Sequence, residues 1–278
     1  MKYSEMFMRS IFMLGLVVAL LSSGGLVDQA SADQTVIYMA VDSYTWKEFT
    51  DDGSLFLKES GPLVGVGITY QHEFPGHVTL TPTAEIFGGT VDYDGQTWGG
   101  TAMTTNVDYF GLKLEGDVGR KFRNAERFFI EPFFGLGLRT WIRDINDGTT
   151  VTGMVTAGYR EGWVTWNARL GLRGGIDISP GSRLFAEAVL KLPLYNRNTA
   201  YLSENNLGTD VTMHPGKETS FFAEMGMQIS RFRGSLFYEG MRFSKSDEVI
   251  TTDGSFIYTT WQPRSEADIY GLKLGVVF

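Results

Sequence analysis

Apolar and polar positions alternate with a period of two through most of this chain, the mark of a strand with two unlike faces. Tyr270, Leu272, Leu274, Val276 and Phe278 alternate with Gly271, Lys273, Gly275 and Val277. Phe110, Leu112, Leu114 and Val118 alternate with Gly111, Lys113, Glu115 and Asp117, so Gly-Leu-Lys-Leu occurs twice. Ile130, Pro132, Phe134, Leu136 and Leu138 oppose Glu131, Phe133, Gly135, Gly137 and Arg139, and Trp166, Ala168, Leu170, Leu172 and Ile176 oppose Asn167, Arg169, Gly171, Arg173 and Asp177. Leu184 to Leu194 repeats the pattern with Glu187 and Lys191 opposite, and Phe221, Ala223, Met225, Met227 and Ile229 oppose Glu224 and Gln228.

The pattern predicts ten strands, at about 36–48, 62–74, 77–89, 105–120, 127–142, 159–178, 183–195, 218–230, 234–245 and 267–278, with eight and twelve as the neighbouring even counts. The connections alternate between short ones, at Pro75-Gly76, Lys121 to Glu126, Ser179 to Ser182 and Arg231 to Arg233, and long ones at 49–61, 90–104, 143–158, 196–217 and 246–266. Strands of about 11 residues at ~45° tilt cover roughly 25 Å, the height of an outer-membrane apolar band. The expected fold is an all-β, antiparallel, up-and-down transmembrane β-barrel of ten strands with both termini on the periplasmic side. A soluble sandwich or lipocalin-like barrel with the apolar face inward is the alternative, and it leaves the long strands and unequal connections unexplained. In the ninth strand, Leu236 and Tyr238 face one way and Phe237, Glu239 and Met241 the other, and the pattern does not say which side meets lipid.

Residues 1–32 read as a cleaved secretory signal: Lys2 and Arg9 at the positive end, an apolar stretch from Ile11 to Leu21, and Ala30-Ser31-Ala32 before the cleavage point. The barrel domain is then 33–278. The apolar stretch is too short for a spanning helix. A mean hydropathy of -0.08 does not argue against a barrel, because alternation dilutes apolar residues. Losing Lys2, Arg9, Glu5 and Asp28 leaves the net charge at -8, and the 278-residue chain has no cysteine. The acidic balance disfavours nucleic acid as a partner, and the lack of cysteine excludes a disulfide framework or a lipidated cysteine.

The strand Tyr270, Leu272, Leu274, Val276, Phe278 resembles the closing strand of bacterial outer-membrane β-barrel proteins. That resemblance implies recognition by the outer-membrane assembly machinery, and lipids and lipopolysaccharide as surroundings of a monomer. Ten strands are similar to the omptins, outer-membrane proteases that pair two aspartates with a separate Asp-x-His at the rim. Val91-Asp92-Tyr93-Asp94 follows a strand, as that family's Asp-x-Asp does. No Asp-x-His occurs; the histidines are His72, His77 and His214, the last four residues after Asp210. Asp92 and Asp94 are therefore rim candidates without an evident base, and an Asp-rich turn ending at Gly95 is the simpler reading.

The faces opposite the apolar ones collect Glu85, Lys113, Glu115, Asp117, Glu131, Arg139, Arg169, Arg173, Asp177, Glu187, Lys191, Glu224, Glu239 and Lys273. Mixed signs in a narrow barrel predict a salt-bridged lumen. Tyr44, Trp46, Trp98, Trp141, Trp163, Trp166 and Trp261 fall near strand ends and read as interfacial girdle anchors. No calcium loop, nucleotide-binding glycine loop, cysteine nucleophile or esterase-type serine motif is found, so no cofactor or metal is expected. The expected role is structural or surface-interacting, with a narrow channel for ions or small solutes and an omptin-like surface protease as alternatives.

Overall fold

The computed structural model describes residues 33–97, 99–124, 127–252 and 257–278; the signal reading of 1–32 and the girdle reading of Trp98 lie outside them. Ten long strands form the wall: β1 (Gln34–Phe49), β2 (Leu55–Glu73), β3 (Val78–Gln96), β4 (Ala102–Arg120), β5 (Phe128–Ile145), β6 (Arg160–Ser179), β7 (Ser182–Tyr201), β8 (Ser220–Ile229), β9 (Phe232–Ser244) and β10 (Arg264–Val277). Each pairs antiparallel with its neighbours in sequence, and β10 pairs with β1 from Val36↔Val277 to Phe49↔Arg264, closing an all-β barrel. Thr35 and Phe278 exchange backbone hydrogen bonds of 3.1 and 2.8 Å across that seam. Both ends of the barrel chain therefore sit at the end where the connections are short.

Those connections are tight for local reasons. Pro180-Gly181 and Ser230-Arg231 join strands with Gly181 and Ser230 at positive φ, and Gly76 and His77 do the same between β2 and β3. At the other end the strands run further than the apolar pattern predicts. The expected loops 49–61 and 90–104 shorten to a turn at 50–54 and to the residues between Gln96 and Ala102, because β2 begins at Leu55 and β3 continues to Gln96. The longer connections carry their own hairpins. Gly148–Thr150 pairs with Val155–Thr156 and with β4; Val211–Met213 folds back on β7; Gly216–Lys217 pairs with β9; Val249–Thr252 pairs with Ile257–Thr260.

The outer wall is apolar over a belt. Met39, Val41, Val64, Leu114, Phe134, Leu136, Leu170, Leu172, Leu190, Leu192, Met225, Leu272 and Leu274 are all exposed on it, a surface that suits hydrocarbon and would be costly in water. In β9 Leu236 and Tyr238 take the outer face, while Phe237, Glu239 and Met241 are buried inside. Beyond the belt, toward the loop end, the outward positions turn polar: Thr45 and Lys47 on β1, Ser60 and Lys58 on β2, Asp92 and Asp94 on β3. The inward positions at that height turn largely apolar around a few buried charges, so the phase of the alternation inverts where the outward positions turn polar.

Candidate functional site

The lumen is filled in tiers. Nearest the short turns, Arg173 spans Asp117 at 2.9 Å, Glu187 at 3.0 Å and Glu131 at 3.2 Å, and Arg169 Nε donates to Asp117 at 2.8 Å while its Nη1 reaches Glu115. Glu131, fully buried, also accepts the Thr79 hydroxyl at 2.7 Å. Beside them Lys273 holds Glu224 at 3.0 Å, and Arg183 holds Asp177 at 2.6 Å. One tier up, Glu239 receives Lys113 at 3.3 Å, Arg139 at 3.2 Å and Lys191, with Glu115 3.5 Å from Lys113. Glu85 accepts the Tyr38 hydroxyl at 2.8 Å. The structure thus places Lys113, Glu115, Glu131, Arg139, Arg169, Arg173, Glu187, Lys191, Glu224 and Lys273 inside one barrel and pairs each with an opposite charge.

Above these lies a tier that the sequence reading missed. Arg143 on β5 meets Glu161 on β6 at 2.9 Å, Glu48 on β1 at 3.4 Å and Glu59 on β2. Trp46 Nε1 donates to Glu48 at 2.9 Å, Trp163 Nε1 to Glu161 at 2.8 Å, and Tyr109 to Glu59 at 2.5 Å. Trp141 and Trp163 stack at 5.3 Å and an interplanar angle of 7°, with the Trp46 ring edge-on to Trp163 at 5.2 Å and Phe243 against both Trp46 and Trp163. Tyr44, Trp46, Trp141 and Trp163 are therefore core residues and not girdle anchors. Above the belt, water lies outside and the barrel interior is the place to bury a ring. Trp166 does face outward, and Trp261 carries the Lys245 ammonium 4.2 Å over its ring. The signal that could have found this tier was the unbroken period of two through Tyr44, Trp46 and Glu48, with polar residues on the outer face.

Toward the loop end, Gln262 of the last long connection links Asn198 on β7 to Ser265 on β10. Asn198 Nδ2 donates to Gln262 Oε1 at 2.7 Å, Gln262 Nε2 to Ser265 Oγ at 3.2 Å, and all three residues are buried. Asn198 Oδ1, buried as well, has no hydrogen-bond partner among the described residues, so this polar chain is only partly satisfied.

The rim candidates do not converge. Asp92 and Asp94 are exposed on the outer wall, since Val91 and Tyr93 take the inward positions of β3. They line a groove of about 570 Å³ with Thr104, Asn106, Asn146 and Asp147. His214 lies beside β7, across the barrel from β3, with Nδ1 3.1 Å from the Asn196 carbonyl oxygen. Asp210 accepts the Ser203 N–H at 3.0 Å, and that bond lowers its carboxyl below the usual range, committing it to a turn. His72 and His77 lie at the short-turn end against Asp33 and Glu73. Among the described residues no group of three or more His, Cys, Asp or Glu could hold a metal ion.

Tyr270, Leu272, Leu274 and Phe278 are exposed along the outer face of β10, at the seam with β1.

No family model matches the sequence, and no curated protein matches it. By structure, the chain is similar to the outer membrane protease OmpT from Escherichia coli, with a TM-score of 0.56 and 9% identity over 90% of this chain and 98% of that one. Weaker likenesses include an outer membrane channel from Pseudomonas putida F1 (TM-score 0.40, 11% identity, 91% of this chain and 100% of that one). Another is Ail, the attachment invasion locus protein of Yersinia pestis (TM-score 0.30, 9% identity, 88% and 99%). At 9% identity the likeness to the protease is one of fold alone, the closed antiparallel β-barrel architecture of an outer-membrane protein.

Proposed function

We propose that this chain is a monomeric integral outer-membrane protein with a sealed lumen, a structural and surface-interaction protein that works through its outer wall and loops. The observation that carries this reading is the filling of the interior: two charged tiers at belt height, then the Arg143 tier and the Trp46–Trp163–Trp141 cluster above them. Ions crossing such an interior would have to break buried pairs and separate stacked indoles, each of which costs free energy without any compensating hydration. In this reading the short turns and both termini are periplasmic, the hairpins around 148–156 and 249–260 face outward, and the belt contacts lipid with lipopolysaccharide above it. Tyr270, Leu272, Leu274, Val276 and Phe278 then act as the strand by which the assembly machinery takes up the barrel.

The outward placement of Asp92 and Asp94, with His214 across the barrel, gives the protease reading no water-activating geometry. Cell fractionation tests the proposal. The protein is expected in the outer membrane, migrating faster on unboiled than on boiled gels, with protease added to intact cells cutting within 246–262 and sparing 74–77. Recovery in the soluble periplasmic fraction, or cutting confined to the short turns, would refute it.

A further inference from the structure

The Arg143 tier gathers three carboxylates around one guanidinium. Glu48, Glu59 and Glu161 are 4%, 0% and 3% exposed and Arg143 1%, so water does little to solvate any of them. The guanidinium distributes its hydrogen bonds unequally. Its Nε and Nη2 donate to Glu59 and its Nη1 to Glu161 at 2.9 Å. Glu59 also accepts the Tyr109 hydroxyl, and Glu161 the Trp163 indole N–H. Glu48 stands apart: Arg143 Nη1 lies 3.4 Å away without a hydrogen bond, Trp46 Nε1 donates to Oε1 at 2.9 Å, and no donor among the described residues reaches Oε2.

No second cation offsets this carboxylate among the described residues. Toward the tier the other strands present Glu59 and Leu57 on β2, Tyr93 on β3, Tyr109 on β4, Arg143 on β5, Glu161 on β6 with Tyr159 just ahead of that strand, Phe243 on β9 and Ser265 on β10. Tyr44 adds a phenol from the same strand as Glu48 and hydrogen-bonds Tyr109. Arg139 lies one tier below, held by Glu239 at 3.2 Å, and Lys47 and Lys58 are on the outer side of the wall. Ionised Glu59 and Glu161 already leave the tier one negative charge in excess of Arg143. A third buried carboxylate would add another with nothing to pair it, and a group so placed neutralises instead.

We infer that Glu48 carries a proton on Oε2 at neutral pH, which makes the tier a proton-dependent clasp at the loop end of the barrel. The neutral acid keeps Oε1 for the Trp46 N–H, and with it the edge-on contact of Trp46 against Trp163. In the unfolded chain a glutamate titrates near about 4.3, so at neutral pH the folded barrel holds a proton that the unfolded chain has released. The stabilisation is therefore complete below that range and is lost as the pH rises through the higher value of the folded state.

Infrared difference spectra and thermal unfolding of the detergent-folded, full barrel across pH test this. At neutral pH the wild type should show a protonated-carboxyl C=O stretch that E48Q lacks, and the band should fade as the pH rises. Relative to E48Q, the wild-type unfolding midpoint should fall by roughly 4–8 °C between about pH 5 and about pH 9. Should E48Q fail to fold, E161Q, which removes one competing negative charge, is expected to move the loss of the band to lower pH. A wild type with no such band at neutral pH, or identical spectra and midpoints in wild type and E48Q, overturns the proton. A midpoint that follows sodium concentration in place of pH assigns the compensation to a metal cation and overturns it as well. Neither readout involves conductance, so failure here leaves the sealed-barrel reading standing.

Discussion

At the residue scale, the interior is built on one repeated device, an aromatic ring lying flat over a glycine on the next strand. Phe133 sits opposite Gly171, Phe87 opposite Gly111, Phe237 opposite Gly271 and Tyr38 opposite Gly67, and at each of these glycines an added Cβ would collide with the ring. The ring's other face often carries a cation: Arg173 is 4.2 Å from the Phe133 centroid and Arg139 4.3 Å from that of Phe87. Glycine weakens a strand in isolation, and the covering ring compensates, so the glycines that dilute the inner face are packing positions. G171V should displace Phe133 and lower stability by about 1–3 kcal/mol, the usual cost of overpacking; urea unfolding of the folded barrel measures it. Unchanged stability would mean the ring does not depend on that glycine.

At the element scale, ten strands and their alternation of short and long connections were legible because the lipid-facing half of each strand must be apolar and its other half need not be. Strand ends were less legible. The expectation stopped β3 at 89 and began β2 at 62, where the outward apolar run ends, but hydrogen bonding continues to Gln96 and from Leu55. Past Gly88 and Leu63 the two faces exchange character, and a reading keyed to outward apolar residues takes that for a loop. The same inversion hid Glu48, Glu59, Arg143 and Glu161 and sent four ring residues to the wrong side. For the paired charges within the belt, sequence sufficed, since a charge on the lipid face is costly and only the lumen is left. Asp92 and Asp94 were visible as a pair, but their orientation depends on a register that their own sequence does not state. Substitution along one strand face separates the two zones. L136R on the exposed belt should cost roughly 2–4 kcal/mol, while T45R, outward but above the belt, should stay within about 0.5 kcal/mol. Equal costs in lipid-bilayer unfolding would contradict the position of the belt.

At the scale of the whole molecule, the barrel interior is filled by side chains along most of its height. Salt bridges fill it at belt height, indoles and phenols fill it above, and toward the loop end Gln262 links the last connection to Asn198 and Ser265. Buried ion pairs add little net stability compared with apolar packing; the charged tiers keep polar side chains away from lipid and share the belt-height interior with Phe87, Phe133, Phe222 and Phe237. In the proposed reading, a sealed lumen leaves the outer wall and the projecting hairpins as the surfaces that meet anything else. The most direct measurement is single-molecule conductance in planar bilayers, with insertion verified independently. The sealed interior predicts no steady current above the bare bilayer; stable, voltage-independent channels from the correctly folded protein would contradict it.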